Sequence, residues 1–260
     1  MNIICAVRRT TVAAGLLGLA SVFFTASAAP AADEWGDLSG QFILDGDIPA
    51  IEDIDARKEP LCVGKVKSEA LVVNPENKGI RYVFIFPPES KKPSKVHPDL
   101  KVSKDKTIVF DQETCTFKPH ALFVRTGQIV KVISSDPFNH NTRTSPLRNQ
   151  PLNAIITNSD KKGIEVKLPT AEKLPMQVKC DIHPWMSAWW LILDHPYGAI
   201  TDADGKFTMP KLPVGEHEFR VWHEYDSGFF IDKAWKVTIK SGTNALPPIK
   251  VPVSKFEKRP

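Results

Sequence analysis

Short runs of β-branched and aromatic residues recur along this chain between turn residues, and apolar spacing at i, i+3 and i+4 is sustained nowhere beyond its N-terminal leader. The runs include LSGQFIL (38–44), EALVV (69–73), IRYVFIF (80–86), KTIVF (106–110), ALFVRT (121–126) and QIVKVISS (128–135). Further along come GIEVKL (163–168), MQVKC (176–180), AWWLILD (188–194), GKFTM (205–209), HEFRVWHE (217–224) and KAWKVTIK (233–240). Strands this short bury their apolar faces by packing sheet on sheet, so the pattern predicts an all-β sandwich or barrel. The 22 prolines lie mostly between the runs, where a missing N–H breaks no central ladder. PPESKKPSKVHPD (87–99) reads as a lysine- and proline-rich surface loop, and no internal repeat is visible.

The first 28 residues read differently. Arg8 and Arg9 precede a short apolar stretch that ends in Ala26-Ser27-Ala28, the pattern of a secretory leader with an A-x-A cleavage site. Gly, Ser and Thr within the stretch favour cleavage over a retained anchor; the Arg pair leaves Sec and twin-arginine export both open. Cys5 lies inside the leader. The expectation is an exported protein, in a bacterial periplasm, with no membrane span once the leader is removed.

The leader carries Arg8, Arg9 and no acid, so the remainder is close to neutral: 34 Lys and Arg in the whole chain against 30 Asp and Glu become a net +2. The lysines are scattered, which argues against nucleic acid as a partner. Three cysteines remain: Cys62, Cys115 and Cys180. An odd count in an oxidising compartment suggests one pair and one thiol with a separate task. Cys180 has His183 and Met186 beside it, which leaves Cys62 and Cys115 for a disulfide; two buried thiols are the alternative.

The separate task is read from residues 180–186, CDIHPWM, together with SSDPFNHN (134–141) upstream. A strand ending at Cys180 runs into a tight loop carrying His183 and Met186, and an Asp-Pro loop ends in His140-Asn141. A thiolate, two imidazoles and a thioether suit copper cycling between Cu(I) and Cu(II). Zinc is served poorly by Met, and a structural zinc site would use a fourth Cys or His. The C-x-x-C-H of a c-type haem is absent.

On these residues the chain resembles the cupredoxins, the blue-copper electron-transfer family, and its Cys-x-x-His-Pro-aromatic-Met loop is similar to the short loop of the amicyanin type. The resemblance covers about residues 105–193 and implies a Greek-key β-sandwich with one type 1 copper site. It implies that Cys180 is the thiolate ligand, His183 an exposed imidazole, Met186 the axial thioether and His140 the buried upstream imidazole. It also implies that the backbone N–H of Asn141 reaches the Cys180 sulfur, that Pro184 stiffens the loop, and that Trp185 shields the His183 edge. The motifs C-x-F-x-P-H (115–120), NHN (139–141), CDIHPWM and DHPY (194–197) further resemble exported proteins described as methylamine-utilization-like. That name derives from the copper loop and does not establish a role for methylamine.

Two segments lie outside the resemblance. Residues 33–104 form an N-terminal β extension opening on WGDLSGQFILDGDIP (35–49). Residues 194–254 are similar to a carboxypeptidase regulatory-like or transthyretin-like sandwich, through TDADGKF (201–207) and LPVG (212–215). Asp202 and Asp204 read as a turn, because an EF-hand needs a third loop acid and a distal Glu. His120 reads as a buried, hydrogen-bonded histidine, and His195 and His223 as structural; His97 and His217 read as exposed. Of Trp189 and Trp190, strand alternation puts one in the core, and the other is open.

A type 1 site offers no open coordination position, further H-x-H motifs are absent, and so is G-x-S-x-G, so the reading is not an enzyme. The first expectation is an electron carrier whose redox partner, a dehydrogenase or a cytochrome, docks near His183. The alternative is a copper storage, delivery or assembly module, or a subunit of a larger periplasmic redox complex.

Overall fold

A computed structural model describes residues 34–51, 54–56, 60–62, 66–226 and 230–256; the leader (1–28) lies outside the described residues. Among the described residues seventeen strands form four sheets. Two of them build a sandwich from residues 107–193. One sheet has the order β4-β3-β6-β9, from β3 (Thr107–Glu113), β4 (Thr116–Lys118), β6 (Ile129–Ser134) and β9 (Ile164–Lys167). The other has the order β5-β11-β10-β7-β8. Its strands are β5 (Ala121–Arg125), β7 (His140–Ser145), β8 (Asn153–Ile156), β10 (Met176–Lys179) and β11 (Ser187–Leu193). Phe110, Phe117, Val130, Val132, Val178 and Trp190 fill the space between these two sheets.

The second sandwich interleaves the two ends of the chain. β1 (Trp35–Asp45) is the centre of its sheet, antiparallel to β13 (Lys206–Pro213) and parallel to β16 (Gly242–Ala245) and β17 (Ile249–Pro252). β2 (Phe84–Phe86) lies between β12 (Ala199–Ile200) and β14 (Gly215–Trp222), and β15 (Phe230–Ile239) closes that sheet. Residues read from the sequence as an extension and a separate C-terminal sandwich therefore share two sheets. Segment 194–254 alone leaves the central places of both sheets empty; β1 and β2 fill them and supply Leu38, Phe42, Leu44 and Ile85 to the common core.

The two sandwiches stack through a third apolar layer. Phe84, Phe86 and Trp222 from one meet Ala121, Leu191 and Leu193 from the other. This explains why FIF in β2 is buried at all three residues and why β11 lacks alternation over its last four. Both tryptophans of β11 are packed: Trp190 sits edge-on to Phe110 inside one sandwich, and Trp189 lies against Trp222 in the layer between the two.

Two expected strands are shorter than their sequences suggest. In IRYVFIF (80–86) Tyr82 takes a φ of +65°, a sparsely populated region for a bulky residue, and the strand begins only at Phe84. EALVV (69–73) contributes a single bridge, Val73 to Ile80. The Asp202–Gly205 segment is a turn, with the Gly205 N–H donating to the Asp202 carbonyl at 3.0 Å. Gly205 has φ +73°, and a Cβ there would stand 2.3 Å from the Phe42 carbonyl oxygen. Asp202 Oδ1 accepts the Asp204 and Lys206 N–H groups, and Asp204 Oδ1 accepts from Asn74 and Asn77, so both carboxylates serve the turn and its neighbours.

Candidate metal centre

The centre forms where the start of β7 meets the end of β10. The two strands are antiparallel neighbours, with Arg143 opposite Lys179, so His140 and Cys180 emerge at the same end of the sheet. The sequence reading placed His140-Asn141 at the end of a loop; both belong to β7, and their side chains are buried. The 180–186 loop closes on itself, with the Met186 N–H donating to His183 O at 2.9 Å and the Cys180 N–H to Met186 O at 3.2 Å. Pro184 lies inside that closed turn.

One ligand atom each from His140, Cys180 and His183 lies within 4.8 Å of the others, and all three residues are buried. The two Nδ1 atoms are 2.9 Å apart, and Cys180 Sγ is 3.8 Å from His183 Nδ1. Bond lengths of about 2.0 Å to imidazole and 2.3 Å to thiolate imply an S–N separation of about 3.7 Å in a trigonal plane, and an N–N separation of about 3.5 Å. The sulfur therefore stands at a ligand distance, while the imidazoles sit at hydrogen-bond distance and would part by about half an ångström around an ion. Two imidazoles and a thiolate are donors for a transition metal and unsuited to calcium or magnesium. Met186 is 1% exposed and packs in the same apolar cluster as Cys180.

Electrostatics prepare the thiol for this role. Burial opposes the thiolate, yet the His140 imidazole and the backbone N–H groups of Asn141 and His183 outweigh it and hold the Cys180 thiol below its ordinary value. Asn141 also ties the two ligand segments together through its side chain. Its Oδ1 accepts the Asp181 N–H at 2.6 Å, and its Nδ2 donates to Asp181 Oδ2 at 3.0 Å and to Asn153 Oδ1 at 2.8 Å.

Asp136 was not singled out in the sequence, although it stands four residues before His140. Its Oδ2 accepts from His140 Nε2 at 3.0 Å, which fixes the ring proton on Nε2 and turns Nδ1 toward Cys180 and His183. The carboxylate also accepts the N–H groups of Thr114 (2.8 Å) and Cys115 (2.9 Å). Burial raises the Asp136 pKa, but these three bonds prevail and hold it below the usual carboxylate range. His140 responds in the opposite sense: burial lowers it, and Asp136 and Cys180 leave it above its ordinary value.

The expectation of an exposed His183 is corrected. The side chain is only 4% exposed. The rings of Trp185 and Phe138 lie 5.2 and 5.5 Å from its centroid, and Trp185 Nε1 donates to Cys115 O at 3.1 Å. Both rings pack against a small core of Ala56, Cys62 and Cys115, which Ile54 and Val66 also join, and Cys62 is joined to Cys115 by a disulfide. The rings that flank the imidazole thus share a core with Ala56 and Cys62 from far upstream, something the loop motif by itself could not reveal.

The other histidines have structural surroundings. His120 is buried, pairs through Nε2 with Glu224 Oε1, and faces Glu69 Oε2 at 3.8 Å. Glu224 Oε2 accepts from Trp189 Nε1 at 2.7 Å, so this carboxylate links the two sandwiches. Burial lowers the His120 pKa, but Glu224 and then Glu69 carry it above the ordinary value. His223 is fully buried and pushed down to about 4 by desolvation, with Nε2 donating to Arg81 O. His217 Nε2 donates to Pro213 O, and His97 Nδ1 accepts the Asp99 N–H.

No protein-family model matches the sequence, and no curated protein sequence matches it. Among solved structures, the chain is similar to a mutant of amicyanin in the Cu(I) form, at 18% identity, over 34% of this chain and 82% of that one, with a TM-score of 0.30. A reduced amicyanin mutant matches at 18% identity over 39% of this chain and 96% of that chain, again with a TM-score of 0.30. A copper-containing nitrite reductase from Thermus scotoductus matches at 14% identity over 33% of this chain and 22% of that one, TM-score 0.30. No helix among the described residues is long and apolar enough to cross a membrane.

Proposed function

We propose that this chain is an exported type 1 copper protein that carries single electrons between redox partners. The observation that carries the reading is the buried His140–Cys180–His183 cluster, whose two Nδ1 atoms face each other 2.9 Å apart beside the Cys180 sulfur. Met186, buried in the same apolar cluster as Cys180, would add a thioether, a donor that suits copper better than zinc. Copper bound there would supply a Cu(I)/Cu(II) couple.

The remaining chemistry belongs to the chain. Asp136 holds the His140 proton on Nε2, and Asn141 and His183 direct N–H groups at the thiolate. The closed 180–186 loop, tied to β7 through Asn141, resists rearrangement when the charge at the centre changes. Apolar surroundings (Phe138, Trp185, Met186) exclude water and disfavour the more highly charged state. A dehydrogenase or a cytochrome docks near His183. The compartment is the periplasm, entered through a leader cleaved near Ala28, where a Cys62–Cys115 disulfide persists.

A second reading, copper storage or delivery, draws support from the covered His183 edge, since a sealed centre exchanges its ion slowly. Protein-film voltammetry separates the two. A carrier gives a reversible one-electron couple that Cys180→Ser abolishes, whereas a store prefers Cu(I) and shows no reversible wave. Copper content unchanged in Cys180→Ser would sink both.

A further inference from the structure

At the opposite end of β11 from the metal loop, the two sandwiches leave a cleft of about 230 Å³ between them. The seven residues of β11 place it on the order of 20 Å from the 180–186 loop. Phe86, Pro88 and Leu193 form an apolar wall, and His195, Lys173 and Arg220 lie around it.

The charges of the cleft do not cancel. Its three carboxylates are already engaged: Glu89 takes the Arg148 guanidinium through two 2.8 Å bonds, Asp194 pairs with Lys92, and Glu172 accepts the N–H groups of Leu147, Arg148 and Asn149. Lys173 and Arg220 have no carboxylate partner among the described residues. Arg220 Nη1 donates to the Lys173 carbonyl at 3.2 Å and the guanidinium rests over the Phe230 ring.

His195 adds a third donor. It is 5% exposed, and its Nδ1 accepts the Tyr197 N–H at 3.2 Å, so the ring proton resides on Nε2. Among the described residues Nε2–H has no protein hydrogen-bond partner, so it is free to donate to a ligand or to solvent in the cleft. Burial keeps the ring neutral, with a pKa pushed down to about 4, so it is a donor without a charge.

We propose that this cleft binds a small organic carboxylate, with the carboxylate received by Arg220, Lys173 and His195 Nε2–H and the apolar body laid against Phe86 and Leu193. Four cations against three carboxylates leave the cleft net positive, and the neutral N–H adds a donor, so it selects an anion. The apolar wall selects an organic one over a bare inorganic ion. The site is independent of the metal centre, and nothing in it depends on copper being bound.

The test is a ¹H–¹⁵N NMR titration of the intact, metal-free chain with benzoate, benzylamine and inorganic phosphate as probes. Saturable shifts with benzoate at His195 and Arg220 are expected, weakened about tenfold or more in Arg220→Met and separately in Lys173→Met. Lys173 is a surface residue whose loss leaves the core intact, so it guards against a misfolded Arg220 variant. Absence of saturation with benzoate, equal binding of benzylamine, or benzoate affinity unchanged in both variants would overturn the proposal. Phosphate binding as tightly as benzoate would also overturn it, by reassigning the cleft to inorganic anions.

Discussion

Replacing Cys62 and Cys115 together by Ser opens a covalent loop that spans 53 residues in sequence. In the chain-entropy account the cross-link removes about 14 cal/mol/K from the unfolded ensemble for a loop of that length, equivalent to about 4 kcal/mol at 25 °C. Against the roughly 5–15 kcal/mol that stabilise an ordinary domain, this is a large fraction. A second, local effect follows from what the bridge holds in place. Ile54, Ala56 and Val66 share one cluster with the bridge, Phe138 and Trp185, and among the described residues no other disulfide holds it together. The Cys115 N–H also donates to Asp136, whose carboxylate orients His140. The double variant should therefore unfold at lower denaturant with an unfolding free energy reduced by about 2–4 kcal/mol, and its copper should be removed faster by a chelator. Guanidinium unfolding followed by tryptophan fluorescence measures the first, and stopped-flow chelation the second. A loss below about 1 kcal/mol together with an unchanged chelation rate would refute the argument that the bridge holds this cluster against the rings beside His183.

Two other substitutions probe the polar contacts. Asp136→Asn keeps the shape but removes the negative charge beside His140 Nε2, so metal affinity should fall about 10–100-fold, measured by competition with a chelator of known affinity; unchanged affinity would remove Asp136 from the centre. His120→Ala strands the Glu224 carboxylate in the layer between the sandwiches and should cost about 3–5 kcal/mol in a denaturant titration. The same pair has a pH signature. His120 has a raised folded pKa with Glu224, Glu69 and the Tyr82 ring facing it, so its contribution is complete below pH 6.5 and is lost as pH rises through the folded value. The stability gap between wild type and Glu224→Gln should shrink above pH 6.5; a gap that grows with pH would contradict the pairing.

The sequence carried the all-β class because period-two runs and turn residues are local signals, and it carried the cluster because Cys180, His183 and Met186 fall on one short loop. What it concealed was non-local. HNTRTS in β7 is a polar string, yet four of its six residues are buried because β8 and β10 pair on either side of it and the sheet packs beneath. β1 in the middle of a sheet built from the far end of the chain has no signature in its own residues. Phe138 and Trp185, the rings beside His183, pack into a cluster with Ala56 and Cys62, more than a hundred positions upstream of His183, and a loop motif says nothing of such a partner. Asp136 is an ordinary Asp-Pro turn residue until the position of His140 Nε2 gives it a purpose. Trp189 could not be placed from alternation because β11 is buried on both faces, a property of the second sandwich stacked against it.

The most direct test of the central claim is the absorption and electron paramagnetic resonance spectrum of the Cu(II)-loaded protein, beside that of Cys180→Ser. An intense visible thiolate-to-copper band with a narrow copper hyperfine splitting, both lost in the Ser variant, is the predicted result. A spectrum without the thiolate band, or one that Cys180→Ser leaves unchanged, would contradict copper bound by Cys180, His140 and His183.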